Sequence, residues 1–120
     1  MKQTESTEMY LENILVLKEK LGSVRSIDIA HYSGYSKPSV SRAMGILRKG
    51  GFIEIDPFGI INLTESGYSV ASKILERHRV LTKMLKSFGI CDETAAEDAC
   101  RIEHVISDET FDCIKKSLSE

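Results

Sequence analysis

Cys100, Glu103 and His104 stand at i, i+3 and i+4 within the stretch EDACRIEHVISDE, residues 97–109. On an α-helix that spacing places all three on one face. A thiolate, a carboxylate and an imidazole converging there form a ligand set suited to a divalent transition metal, and most such sites take a further donor from another element. Candidates for that donor are Met9 and Glu12, one helical turn apart, and His78. Each residue has a plainer reading. Met9 could fill a core, Glu12 could be a solvated helix carboxylate, His78 could be a surface histidine between Arg77 and Arg79, and Cys100 could be a small buried apolar residue. Cys100 and His104 must lose protons to ligate, so metal binding should weaken at low pH.

A second chemistry lies in residues 36–49. Ser36 reads as an N-cap and Pro38 sits in the first turn of a helix, where a missing N–H costs nothing. The predicted helix runs from Lys37 to Lys49, with Val40, Met44 and Leu47 facing inward and Lys37, Ser39, Ser41, Arg42 and Lys49 facing solvent. Arg42 is the candidate for base readout, because a guanidinium can reach guanine O6 and N7 together. Ser36, Ser41, Arg48 and Lys49 are candidates for phosphate contacts, which position a protein without specifying sequence. The plainer alternative is a solvated amphipathic helix of an unrelated bundle.

The elements that must position these groups follow from periodicity and turn chemistry. Apolar residues at Met9, Tyr10, Ile14, Leu17 and Leu21 predict a helix over 7–21 closed by Gly22. Ser26 reads as the cap of a short helix, IDIAHYS, and Gly34-Tyr35 as a tight turn leading to Ser36. The runs FIEI (52–55) and IINL (60–63), joined by Asp56-Pro57-Phe58-Gly59, predict a hairpin whose tip carries no Lys or Arg. A long helix is expected from Thr64-Glu65-Ser66-Gly67 to about Phe88, another from about Asp92 to Ile106, and a last one capped by Ser107 and running through Leu118. Helix, helix-turn-helix and hairpin in this order make a mainly α chain: a winged helix-turn-helix over residues 1–70, then a helical metal-binding and dimerisation domain over 71–120. Ile102, Val105, Ile106, Phe111, Ile114 and Leu118 are candidates for the dimer interface or the core beneath it.

Composition agrees. A chain of 120 residues has room for one compact domain or two small ones, and 42% apolar with 28% charged residues argues against a disordered chain. No apolar run is long enough to span a bilayer, and the start MKQTESTEMY has no signal-peptide character. Cys91, Cys100 and Cys113 are an odd number without a CxxC pair, unlike a disulfide framework or a zinc knuckle. Residues 23–51 carry five basic residues against one acid, and residues 92–120 carry nine acids against three basic residues. A polyanion suits the first segment, and cations or a protein surface suit the second.

The stretches TEMYLENI (7–14), SKPSVSRAM (36–44), RHRVL (77–81) and DACRIEHVISDE (98–109) together resemble the diphtheria toxin repressor family of iron- and manganese-dependent regulators, over nearly the whole chain. The resemblance implies an iron-type site at Met9, Cys100, Glu103 and His104. Manganese-type relatives have carboxylates at the places of Met9 and Cys100, with an acid at Glu12 and a histidine at His78. The iron-type ancillary site matches at His78 but meets Thr82 and Ala96 where its other ligands would stand, so a second ion would need Glu12, His78, Glu97 or Asp98. The resemblance further implies a two-domain form lacking the SH3-like domain of iron-type members. Arg42 stands where an iron-type relative has glutamine, which implies a different operator.

The resulting expectation is a cytoplasmic, metal-activated repressor acting as a homodimer on a palindromic operator in double-stranded DNA, controlling metal homeostasis genes. Fe(II) is favoured over Mn(II), because a thiolate and a thioether are soft donors whereas manganese prefers oxygen. The alternative is a metal-independent winged-helix regulator whose helical C-terminal region binds a ligand or partner. An enzyme is not expected, since a catalytic metal would need an open position beside a general base.

Overall fold

The computed structural model describes residues 5–119, arranged as six helices and one two-stranded sheet. These divide into two compact units, one ending at Ser72 and the other beginning at Lys73. Among the described residues no helix is long and apolar enough to cross a membrane.

In the amino-terminal unit, α1 (Glu5–Leu21) buries Tyr10, Leu11, Ile14, Leu15 and Leu17 along one face. Its acidic first turn (Glu5, Glu8) and basic last turn (Lys18, Lys20) both oppose the helix dipole favourably. Gly22 then takes a left-handed φ of 84°, and its N–H reaches the Lys18 carbonyl at 2.9 Å. α2 spans Ser26–Ser33. Its N-cap is Arg25 rather than the expected Ser26, because the Asp28 carboxylate reaches back to accept from the Arg25 N–H at 2.9 Å. α3 spans Lys37–Lys49 with Ser36 at the N-cap, as its capping residue and proline predict, and the Ser39 N–H donates to Ser36 Oγ at 3.3 Å.

The wing pairs β1 (Ile53–Ile55) with β2 (Ile61–Leu63), antiparallel, with Ile55 opposite Ile61. Asp56 Oδ1 accepts from the Phe58 and Ile60 N–H groups at 2.8 and 2.9 Å, so the acid at the wing tip is spent on holding the turn. Val24 bridges to Ile61 on the other side of β2, tying the α1–α2 connection to the wing. Leu11, Ile14, Val24, Ile29, Val40, Met44, Leu47, Ile53 and Ile61 are essentially sealed from solvent and form one core beneath these elements. Burying each such side chain is worth about 1.5–3 kcal/mol. The following helix, α4 (Glu65–Ser87), starts hard against the wing: a Cβ on Gly67 would lie 1.9 Å from the Phe52 carbonyl oxygen. Thr64 caps it, accepting from the Gly67 N–H at 3.1 Å and donating to the Gly51 carbonyl at 2.6 Å.

The carboxy-terminal unit takes α4 from Lys73 onward, α5 (Asp92–Ile102) and α6 (Asp108–Ser119). Ile74, Leu75, Leu81, Ala95, Ala99 and Phe111 are buried in it. Ser107 caps α6 by accepting from the Thr110 N–H at 3.1 Å. The fifth helix ends at Ile102, not at Ile106 as periodicity suggested. Residues 103–106 form a closing turn in which the Glu103 and Ile106 carbonyls accept from a side chain outside α5. Of the six residues proposed for an interface, Phe111 is core, whereas Val105 is 75% exposed.

Candidate metal centre and DNA-reading helix

Although α5 stops at Ile102, the chain does not leave helical geometry there. Glu103 has φ −58° and ψ −27°, its N–H bonds the Ala99 carbonyl at 2.9 Å, and the Ile106 N–H bonds the Ile102 carbonyl at 3.0 Å. The i, i+3, i+4 relation of Cys100, Glu103 and His104 therefore survives the helix end. One ligand atom from each of the three lies within 4.8 Å of the others.

Glu103 is fully buried and its two oxygens have different fates. Oε2 is 2.9 Å from His78 Nδ1, a contact in which an ionised Glu103 would accept from Nδ1–H. Oε1 is buried and lacks a hydrogen-bond partner, although His104 Nε2 approaches it to 3.4 Å. The His104 side chain is itself only 2% exposed. A buried carboxylate oxygen that makes no hydrogen bond costs more than most polar groups, and a fold tolerates it where another interaction completes it. Soft sulfur, imidazole nitrogen and a bare carboxylate oxygen fit a divalent transition metal.

The segment that carries these candidate ligands is held by Arg77, which sequence reasoning did not single out. Its Nη1 donates to the Glu103 carbonyl at 3.2 Å and to the Ile106 carbonyl at 2.8 Å, its Nη2 pairs with Asp108 Oδ1, and its guanidinium lies 5.5 Å from the centre of the Phe111 ring. Carbonyls at a helix end have no intrahelical donor, and a forked, permanently charged side chain can serve two of them at once. Arg77 thus serves carbonyls left free beyond the end of the regular helix. Lys73 also pairs with Asp108 Oδ1 at 3.2 Å. The Lys73 hydrogen bond and charge, followed by Arg77, hold the Asp108 carboxyl below the usual carboxylate range. The signal in the sequence was a basic residue one position before His78; nothing in its spacing to Glu103 revealed the contact.

The remaining candidate ligands lie on α1. Glu12 is buried on this helix, where a solvated position was the plainer expectation. Met9 is half-buried, and its sulfur accepts a hydrogen bond from the Tyr35 hydroxyl at 3.7 Å.

On α3, Val40, Met44 and Leu47 are buried as the spacing requires. Ser36, Lys37, Pro38, Ser41, Arg42, Arg48 and Lys49 are exposed, and Ser39 is half-buried against Ser36 through a 2.9 Å hydroxyl contact. Arg42 Nη2 reaches Ser39 Oγ only at 3.5 Å, the limit of a hydrogen bond, so most of its donors face solvent. Ile46, which drew no attention in the sequence, is 65% exposed on the same helix.

Comparison with known proteins agrees with this architecture. Residues 2–59 match the family described as iron dependent repressor, N-terminal DNA binding domain, and residues 64–120 match iron dependent repressor, metal binding and dimerisation domain. The transcriptional regulator MntR of Escherichia coli O6:H1 is 33% identical over 111 residues, covering 92% of this chain and 72% of that protein. The diphtheria toxin repressor of Corynebacterium glutamicum is 31% identical over 106 residues, covering 88% of this chain and 46% of its own. The solved structure of the manganese regulator SloR superposes with a TM-score of 0.82 at 25% identity, over 99% of this chain and 55% of that one. The chain thus spans about half the length of the last two.

Proposed function

The chain belongs to the iron-dependent repressor family of metal-dependent transcriptional regulators, and from that premise we propose that Fe(II) is its co-repressor, with Mn(II) as the alternative, held by Met9, Cys100, Glu103 and His104. The observation that carries this reading is the buried Glu103 Oε1, which lacks a hydrogen bond and lies beside a cysteine and a histidine. Thiolate and thioether donors favour iron over manganese, and cobalt, nickel and zinc should bind at least as tightly in vitro, so availability would decide in the cell. Manganese remains the alternative because a structural relative is a manganese regulator. Glu12 and His78 are the donors available to extend the set.

Once bound, the ion supplies the positive charge that Glu103 Oε1 and the Cys100 thiolate call for. The rest falls to the chain's own side chains. His78 holds Glu103 Oε2 and so fixes the plane of the carboxylate; Arg77 fixes the backbone beneath it. Met9 extends the ligand set to α1, the helix that leads into the DNA-reading elements. The protein would act in the cytoplasm as a homodimer on DNA, with two copies of α3 related by a two-fold axis. That symmetry calls for a palindromic operator with half-sites one or more helical turns apart. Arg42 would read a guanine, while Ser36, Lys37, Pro38, Ser39, Ser41, Arg48 and Lys49 set the depth and register of the helix.

The test is operator binding followed by fluorescence anisotropy under anaerobic conditions, with chelator and then with Fe(II) or Mn(II). Metal should tighten binding about 5- to 150-fold, the range of a typical coupling, with Fe(II) effective at lower free concentration. Equal affinity with and without metal would remove the switch and favour the metal-independent alternative.

A further inference from the structure

We propose that Tyr35 positions Met9 for ligation and links it to the recognition helix, an inference that rests on Met9 being a ligand as proposed above. Three observations within the amino-terminal unit converge on this residue. Its hydroxyl donates to Met9 Sδ at 3.7 Å, within the range of a hydrogen bond to sulfur. Its ring packs against that of Tyr10, the next residue on α1, with centroids 5.9 Å apart and planes tilted by 54°. Its backbone lies in the connection between α2 and α3, immediately before the N-cap Ser36, and its N–H donates to Ser33 Oγ at 3.2 Å.

The chemistry of methionine makes such a partner useful. The side chain is unbranched with three rotatable bonds, so an unassisted thioether samples many directions and must give up that freedom when it ligates. A hydroxyl donating to one sulfur lone pair holds the sulfur in one place and leaves the other lone pair for a cation. Tyr35 can do this because it is itself held: although 45% exposed, its ring is braced on Tyr10, which is only 7% exposed. Outer partners of this kind fix the direction of a ligand without touching the ion.

The same contact gives Met9 a short route to DNA. One residue after Tyr35, Ser36 accepts the Ser39 N–H at 3.3 Å and contacts the Ser39 hydroxyl at 2.9 Å, closing the first turn of α3. A shift of Met9 therefore reaches the start of the recognition helix through one hydrogen bond and one peptide unit. Leu, Phe or Val in place of Tyr35 could fill space against Tyr10, but none of them could donate to the sulfur.

The experiment is a double-mutant cycle with Tyr35→Phe, which keeps the ring and removes only the hydroxyl, and Met9→Leu, which keeps the volume and removes the sulfur. Co(II), an air-stable stand-in for Fe(II), is titrated against a chelating dye in the absence of DNA, and operator affinity is measured separately with and without Co(II). Tyr35→Phe should weaken Co(II) binding by on the order of tenfold and shrink the metal-induced gain in operator affinity. In the Met9→Leu background the same change should have no further effect on Co(II) affinity, a result that a merely structural role for Tyr35 would not produce. Unchanged or tighter Co(II) binding in Tyr35→Phe, with Met9→Leu weakened, overturns the positioning role while leaving Met9 a ligand. Equal weakening by Tyr35→Phe with and without Met9 overturns it as well. If Met9→Leu binds Co(II) like the wild type, Met9 leaves the ligand set and the proposal falls with it.

Discussion

The recognition helix and the end of α5 are both built on helical spacing, yet they treat their polar groups in opposite ways. Along α3 the side chains proposed to meet DNA are exposed apart from the half-buried Ser39, and Ser36 satisfies the Ser39 N–H in the first turn. Around Glu103 the carboxylate and the His104 side chain are buried, Cys100 is half-buried, and one carboxylate oxygen has no hydrogen bond, with His104 Nε2 3.4 Å away. A surface that meets DNA need only keep donors available, since water serves them until phosphate or bases replace it. A buried carboxylate such as Glu103 has little water to fall back on and is held by neighbours, His78 at Oε2 and Arg77 at its carbonyl. The difference teaches that the DNA-reading helix should tolerate substitution with graded losses, whereas the metal centre should fail abruptly.

Glu103→Gln should show the largest effect and tests that contrast directly. It removes the charge but keeps the shape, so Co(II) affinity by dye competition should fall at least about 100-fold. Without metal the variant should be no less stable than the wild type in urea unfolding, because it relieves a buried carboxylate of its charge. A variant that still binds metal normally would mean the bare oxygen has another purpose.

Arg77→Met should come next. It strips the Glu103 and Ile106 carbonyls and Asp108 of their shared donor, and charged hydrogen bonds of this type are worth about 1.5–3 kcal/mol each. A loss of about 2–4 kcal/mol in urea unfolding, less than three such bonds would sum to because Asp108 is exposed and keeps Lys73, is expected together with weaker Co(II) binding. Arg77→Met with unaltered stability would show that the turn over 103–106 holds itself.

The smallest effects belong to α3. Arg42→Ala should relax sequence preference by about 1–3 kcal/mol at one base pair, measured by competition between operator variants. Lys49→Ala should instead weaken binding to all sequences alike and flatten the salt dependence. The reverse ranking would transfer base readout away from Arg42.

Much of this was legible in the linear order of residues. Ser36 and Pro38 announced the start of α3, Val40, Met44 and Leu47 announced its buried face, and Asp56-Pro57-Phe58-Gly59 announced the wing. The spacing of Cys100, Glu103 and His104 announced their convergence as well, since it depends only on local backbone rotation, which persists past the helix end. The cap at Arg25 was less legible, because Asp28 reaching back competes with a serine that also caps well.

Local propensity acts over a turn or two of helix, and within that reach the amino-acid order determined the elements, most of their caps and the convergence of Cys100, Glu103 and His104. Which carboxylate oxygen of Glu103 meets His78, which arginine serves the carbonyls after α5, and which tyrosine meets the Met9 sulfur were decided only by packing, through partners 25, 26 and 26 positions apart. No periodicity spans such a separation. Only the folded chain brings those groups within hydrogen-bonding distance, where burial makes each satisfied or missing partner count.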